Sequence, residues 1–279
     1  MSPQPASAPL VVMMHGYGDY DGYANHQAFI QHTVRKGSVV IYPRYQTAIA
    51  TPCPGPYDSE PCLVAAVEGI RGGLALLQSE PSRVQPDLTK AAYFGHSFGG
   101  ILTANMLNRW ATLSLPTPRA MFLDDPHDGG ETGQGEPSLD ATLSGIPASA
   151  LVQCHSGATG VIAEPGKSIS SCNAIFPKLG HMPPENKNLV MTYDDAHGQP
   201  ALSSGHGVCD ATSAALQNID AYDWNFCWKT FDAMRSCAFE GTDCESGVGD
   251  TPQHRSNGIW SDGTPVHALK IQKQAPILP

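Results

Sequence analysis

The stretch Ala91-Ala-Tyr-Phe-Gly-His-Ser-Phe-Gly-Gly100 sets a serine between glycines two residues before and two after it, where an apolar run meets the helix-like segment Ile101–Leu107. A serine hydroxyl becomes an effective nucleophile when a base takes its proton and N–H donors face the oxygen that gains charge. Holding it on a tight, strained strand-to-helix turn requires small residues on either side, and Gly95 and Gly99 meet that need. The helix start just beyond offers free N–H groups and the positive end of a dipole to a developing oxyanion. Ser97 is therefore expected to act in acyl transfer. The alternative is a glycine-rich strand–helix turn with an incidental serine.

A second segment supports the first. Leu10-Val-Val-Met-Met is an apolar strand running into His15-Gly16-Tyr17-Gly18-Asp19. Acyl transfer needs two oxyanion donors, one from the residue after the nucleophile and one from the loop after an early core strand. Phe98 and Tyr17 are the residues expected to supply them, with Gly16 and Gly18 letting the backbone turn toward Ser97. The side chains of Tyr17, Phe98 and Trp260 are candidates to line an acyl cleft.

These segments need a scaffold. Leu10–Met14, Ser38–Tyr42, Ala91–Gly95, Ala120–Leu123, Ala150–Cys154 and Leu189–Tyr193 are short and apolar without strict alternation, as expected of parallel strands covered on both faces. Helical spacing marks Ala24–Lys36, Cys62–Gln78, Gly99–Trp110 and Ala214–Ala238 between and after them. The alternation predicts an α/β fold: a doubly wound, mostly parallel sheet of about six strands, in one domain over residues 1–279. Asp124–Gly145 reads as a long loop, and about 240–279 as a loop-rich C-terminal excursion in which Val266–Ile271 is an edge strand or a strap.

Composition narrows the class. The 279 residues are 41% hydrophobic and 15% charged, with a formal net charge of −10. An acidic chain with no basic cluster argues against nucleic acid and anionic membrane surfaces, and the uninterrupted apolar runs are too short to span a bilayer. None of the eight cysteines (53, 62, 154, 172, 209, 227, 237, 244) stands in a Cys-x-x-Cys pair. An even count at close spacings fits disulfides formed in an oxidising compartment, and hence secretion. Pairing of sequence neighbours closes short loops, but spacing does not exclude other connectivities or buried free thiols. Residues 1–9 lack a basic and an apolar region and read as the start of a mature protein with an initiator Met added, a start that a cytosolic protein could share.

With Ser97 in its Gly-His-Ser-Phe-Gly turn and the His15-Gly16 loop, the chain resembles the α/β-hydrolase superfamily, nearest to secreted esterases, lipases and polyester hydrolases. One departure is that the first strand already carries the oxyanion loop, whereas many members have two antiparallel strands before it. The resemblance implies a base in the loop after the last strand, where His197 and His206 both stand, and a similar stretch in related hydrolases favours the distal His206. It usually places the acid after the penultimate strand, where no carboxylate occurs before Glu164. A minority of lipases carry it one strand earlier, and there Leu123-Asp124-Asp125-Pro126 offers two candidates, of which Asp125 before Pro126 fits best.

His15, His96, His127, His155 and His181 are scattered without zinc spacing. His96 is expected to pack beside the nucleophile, and Trp224 and Trp228 to pack along a helix face. The acidic, glycine-rich loop at 124–136 lacks the calcium-loop pattern. The expectation is a secreted, monomeric serine carboxylester hydrolase acting on small or polymeric esters without cofactor or metal. The alternatives are a serine peptidase or acyltransferase on the same fold, or an inactive hydrolase-fold binding protein.

Overall fold

The computed structural model describes residues 5–21, 23–54, 58–127, 138–159, 170–209 and 219–277. In chain order the principal elements are β1 (Ser7–Met14), α1 (Tyr23–Arg35), β2 (Val39–Ile41), α2 (Glu60–Ser79), β3 (Gln85–His96), α3 (Phe98–Asn108), β4 (Pro118–Asp124), β5 (Leu151–Gly157), α4 (Cys172–Lys178), β6 (Lys187–Thr192), α5 (Lys229–Glu240), α6 (Cys244–Gly247), α7 (Pro252–Arg255) and β7 (Lys270–Gln272). A π-helical turn, Asp223–Trp228, leads into α5.

The strands form one seven-stranded sheet in the order β2-β1-β3-β4-β5-β6-β7. Every neighbouring pair is parallel except β6–β7, which is antiparallel. All six expected strands are present. The C-terminal segment adds a seventh as an edge strand, shorter than the Val266–Ile271 run suggested. The chain moves from β1 outward to β2 and then back past β1 to β3, so the direction of winding reverses between β1 and β3. Ligands of open α/β sheets bind at such a reversal, beyond the carboxyl ends of the strands.

The apolar runs lack alternation because both faces are covered. Leu10, Val12 and Met14 of β1 join a core with Leu63, Val67 and Ile70 of α2 and Ile101 and Leu102 of α3. Val11 and Met13 face the opposite core, built with Phe29 and Ile30 of α1 and Phe226, Phe231 and Met234 of the π turn and α5. Trp228 is buried in that second core, stacked on His32 at 4.6 Å, whereas Trp224 is exposed and meets Trp228 edge-on.

Helix α2 starts with Pro61 in its first turn and places Cys62, Leu63, Ala66, Val67 and Ile70 on one buried stripe. It is the one described helix long and apolar enough to cross a membrane by length and composition. Its stripe packs on the sheet, and Cys62 is tied to Cys53.

The cysteines pair as sequence neighbours: Cys53–Cys62, Cys154–Cys172, Cys209–Cys227 and Cys237–Cys244. No cysteine is free. The second bridge fastens the start of α4 to β5, and the third fastens the segment after His206 to the π turn. Closing short loops in this way stabilises a fold by about 2–4 kcal/mol per bridge.

Candidate active site

Strand β3 delivers Ser97 directly into α3 at φ 53°, ψ −126°. Such a backbone costs a residue with a β-carbon about 1–3 kcal/mol and persists only where its surroundings fix it. Here the Ser97 N–H donates to Asp124 O at 2.9 Å, and Ser97 O accepts from Gly100 N–H at 2.8 Å and His127 N–H at 3.1 Å. The flanking glycines are required by close approach. A β-carbon on Gly95 would stand 2.4 Å from Gly99 O, and one on Gly99 would stand 2.2 Å from His15 O. The first turn of α3 therefore lies directly against the end of β1.

His206 brings the other two groups to Ser97. The Ser97 hydroxyl lies 2.8 Å from His206 Nε2, and His206 Nδ1 lies 2.7 Å from Asp125 Oδ2. Asp125 is buried, whereas the His206 side chain is about one-third exposed. The aspartate sits immediately after β4 at φ 40°, its N–H donating to His155 O at 2.9 Å. His96 is more than packing, because its Nε2 donates to the His206 carbonyl at 2.8 Å while the two rings lie 4.7 Å apart.

The loop bearing both candidate histidines is organised around two aspartates after β6. Asp194 Oδ1 accepts from Ser204 N–H at 2.6 Å and from the Thr159 hydroxyl at 2.7 Å. Asp195 and Leu202 exchange backbone hydrogen bonds of 2.9 Å, closing a small lobe. His197 stands at the exposed outer part of this lobe, its Nε2 2.8 Å from Asp262 Oδ2. The Thr264 amide and His197 together draw the Asp262 carboxyl down to about 2. The chain then returns through Ser203 and Ser204 over the end of β5, and this return carries His206 to Ser97. Gly205 does not set this approach, since a β-carbon on it would meet nothing nearer than Ser203 Oγ at 3.7 Å. Gly157 is the glycine that matters, since a β-carbon there would stand 2.1 Å from Ser204 O.

Asp124, the other half of the doublet, faces away from His206. Its Oδ1 accepts from His155 Nδ1 at 2.7 Å. Asp124 is the last residue of β4, whereas Asp125 has already left the strand at positive φ, and the two carboxylates take different partners. Glu164 lies outside the described residues. Trp260 belongs to the lobe around His197, with its indole N–H donating to Asp195 Oδ2 at 3.1 Å and its ring lying over Gly198. Its hydrogen-bond and ring partners among the described residues are Asp195 and His197 rather than Ser97 or His206.

The loop that carries Tyr17 and the start of α3 both adjoin Ser97. Phe98 is the first residue of α3, so its N–H has no acceptor within the helix. Gly16 is near enough that a β-carbon on it would stand 3.3 Å from Ser97 Cβ. Gly18 turns at φ 78° and donates to Gln46 Oε1 at 2.8 Å, and the Tyr17 ring meets Phe98 edge-on at 5.5 Å. His15, just before this loop, is stacked on Tyr45 at 3.9 Å, and burial lowers its pKa to about 4. It is a neutral structural histidine, and the Tyr45 hydroxyl donates to its carbonyl at 2.6 Å.

Among the described residues no group of three or more His, Cys, Asp or Glu side chains is arranged to hold a metal ion. No protein-family model matches the chain, and no curated protein matches it in sequence. A strained serine, an imidazole and a buried carboxylate in one hydrogen-bonded line is an arrangement whose chemical capacity is nucleophilic acyl transfer.

Proposed function

We propose that the protein is a serine carboxylester hydrolase of the α/β-hydrolase type. The observation that carries this reading is the line Ser97 Oγ to His206 Nε2 at 2.8 Å and His206 Nδ1 to Asp125 Oδ2 at 2.7 Å. Ser97 Oγ attacks the ester carbonyl as His206 Nε2 takes its proton. Asp125 accepts the Nδ1 hydrogen, which holds the ring in the required tautomer and stabilises the imidazolium. The Tyr17 and Phe98 amides receive the tetrahedral oxyanion. His206 then protonates the departing alkoxide, leaving an acyl-serine. Water, deprotonated by the same imidazole, releases the acid in a second pass.

Uncharged esters, small or polymeric, suit the apolar side chain of Ile49, which is 60% exposed and near enough to Gly18, in the loop after β1, that a β-carbon there would stand 2.7 Å from it. Four disulfides support an extracellular setting. The decisive experiment is stoichiometric fluorophosphonate labelling together with turnover of p-nitrophenyl esters from acetate to octanoate. Wild type should label once and turn over, and Ser97→Ala should do neither. A folded wild type that does neither is a binding protein on this fold.

A further inference from the structure

Beneath the triad lies a second polar line that the mechanism above does not use. Asp124 on β4 stands opposite His155 on β5 in the strand register. His155 Nδ1 donates to Asp124 Oδ1 at 2.7 Å, and His155 Nε2 lies 2.9 Å from Thr192 Oγ1 on β6. All three residues are fully buried, with the Phe226 ring 4.6 Å from the imidazole.

The main chain of the same residues holds two members of the triad. Asp124 O accepts the Ser97 N–H, and His155 O accepts the Asp125 N–H, both at 2.9 Å. We propose that Asp124, His155 and Thr192 form a positioning relay that locks the carboxyl ends of β4, β5 and β6 so that Asp125 and Ser97 meet His206 in line. The proposal rests on the hydrolase reading for its kinetic consequence, but its geometric content is independent of it.

Two arguments favour positioning over plain stabilisation. A buried carboxylate–imidazole pair is a poor source of stability, since apolar residues of similar volume serve a core as well or better. Asp125 and Ser97 also both hold positive φ, 40° and 53°. Strained residues keep one geometry only where the surroundings over-determine it. The relay fixes the strand ends from which both depart. Asp124, His155 and Thr192 are positioning residues, because none reaches the reacting atoms.

The test compares Asp124→Ala, Asp124→Asn and Thr192→Val with wild type. Asparagine keeps an acceptor for His155 Nδ1, and valine removes only the outermost bond. One readout is kcat per fluorophosphonate-titrated site. The other is the downfield proton NMR signal of the His206–Asp125 hydrogen bond, assigned by its loss in His206→Ala. Displacement of catalytic groups by about an ångström can cost ~100-fold in rate. Asp124→Ala should therefore lose about that much kcat at unchanged KM, Asp124→Asn and Thr192→Val about tenfold or less, and each should move the proton signal. Folded variants with unchanged kcat per site and an unmoved signal overturn the relay, whatever their melting temperature. A wild type that neither labels nor turns over, but whose signal still moves in the variants, overturns the hydrolase reading and upholds the relay.

Discussion

Gly157, the last residue of β5, lies so close to Ser204 that a β-carbon on it would stand 2.1 Å from the Ser204 carbonyl oxygen. Backbone meets backbone there, so no side-chain rotation relieves the clash. Gly157→Ala must therefore push the 203–206 segment away and draw His206 from Ser97. The expected result is a folded protein with ester kcat reduced by about 100-fold. Gly205→Ala, whose new methyl would meet nothing nearer than Ser203 Oγ at 3.7 Å, should retain wild-type kcat. Circular dichroism and p-nitrophenyl ester kinetics on the two variants check the contrast, and equal activities would refute it.

His206 and His197 both follow β6, and the lobe closed by Asp195 and Leu202 separates their roles. His206→Ala removes the group bonded to both Ser97 and Asp125. Losses of several decades in kcat are expected when such a base is removed. His197→Ala breaks an exposed pair with Asp262, and exposed pairs contribute at most about 1 kcal/mol. It should leave kcat within about twofold of wild type. A larger loss in His197→Ala than in His206→Ala would reverse the assignment.

The sheet and the strand-to-helix turn at Ser97 were legible along the chain because each depends on local pattern. Parallel strands buried on both faces read as apolar runs, and the turn at Ser97 demands glycine at 95 and 99. What separates Asp125 from Asp124 is tertiary: Asp124 pairs across the sheet with His155, while Asp125 leaves β4 at positive φ and meets His206. The contacts of Asp194 with Thr159 and Ser204 were barely legible for the same reason, since Thr159 follows β5 while Asp194 and Ser204 lie ten residues apart after β6. The Tyr-Asp-Asp doublet before His197 was their one signal. Trp260, placed in the cleft on aromatic character alone, is drawn instead to Asp195 by its indole N–H. The cysteines paired as neighbours, but only the fold excludes the other connectivities.

Asp125→Asn separates geometry from tautomer. Asparagine can occupy the same volume, but its NH2 can face Nδ1 and force the proton onto Nε2, where it cannot accept from Ser97. An equivalent exchange in a serine triad lowers kcat by about 10⁴. The same fall is expected here, with the fold and substrate binding retained. Glu164→Gln should leave kcat unchanged, because Asp125 already occupies His206 Nδ1. Parallel kinetics on the two variants check both halves, and a Glu164→Gln variant as impaired as Asp125→Asn would overturn the choice of acid.

Two buried histidines give stability a defined dependence on pH. Burial lowers the pKa of His15 and of His254 from 6.5 to about 4. His254 lies between Gly249 O and the Gln153 amide, each 2.9 Å from a ring nitrogen, and His15 lies under Tyr45. Below 6.5 the unfolded chain binds protons that the folded one refuses. Both contributions are therefore fully present at neutral pH and are lost progressively as pH falls from 6.5 to about 4. At 1.36 kcal/mol per pKa unit, each histidine accounts for about 3 kcal/mol. Carboxylates such as Asp250 and Asp262, whose folded values lie below 3.8, add losses only lower in the range. Urea unfolding at pH 7.5, 6.0 and 4.5 should show this fall. His254→Gln, which cannot titrate, should reduce the loss between the end points by roughly half, whereas an unchanged loss would show that His254 is not a source of the dependence.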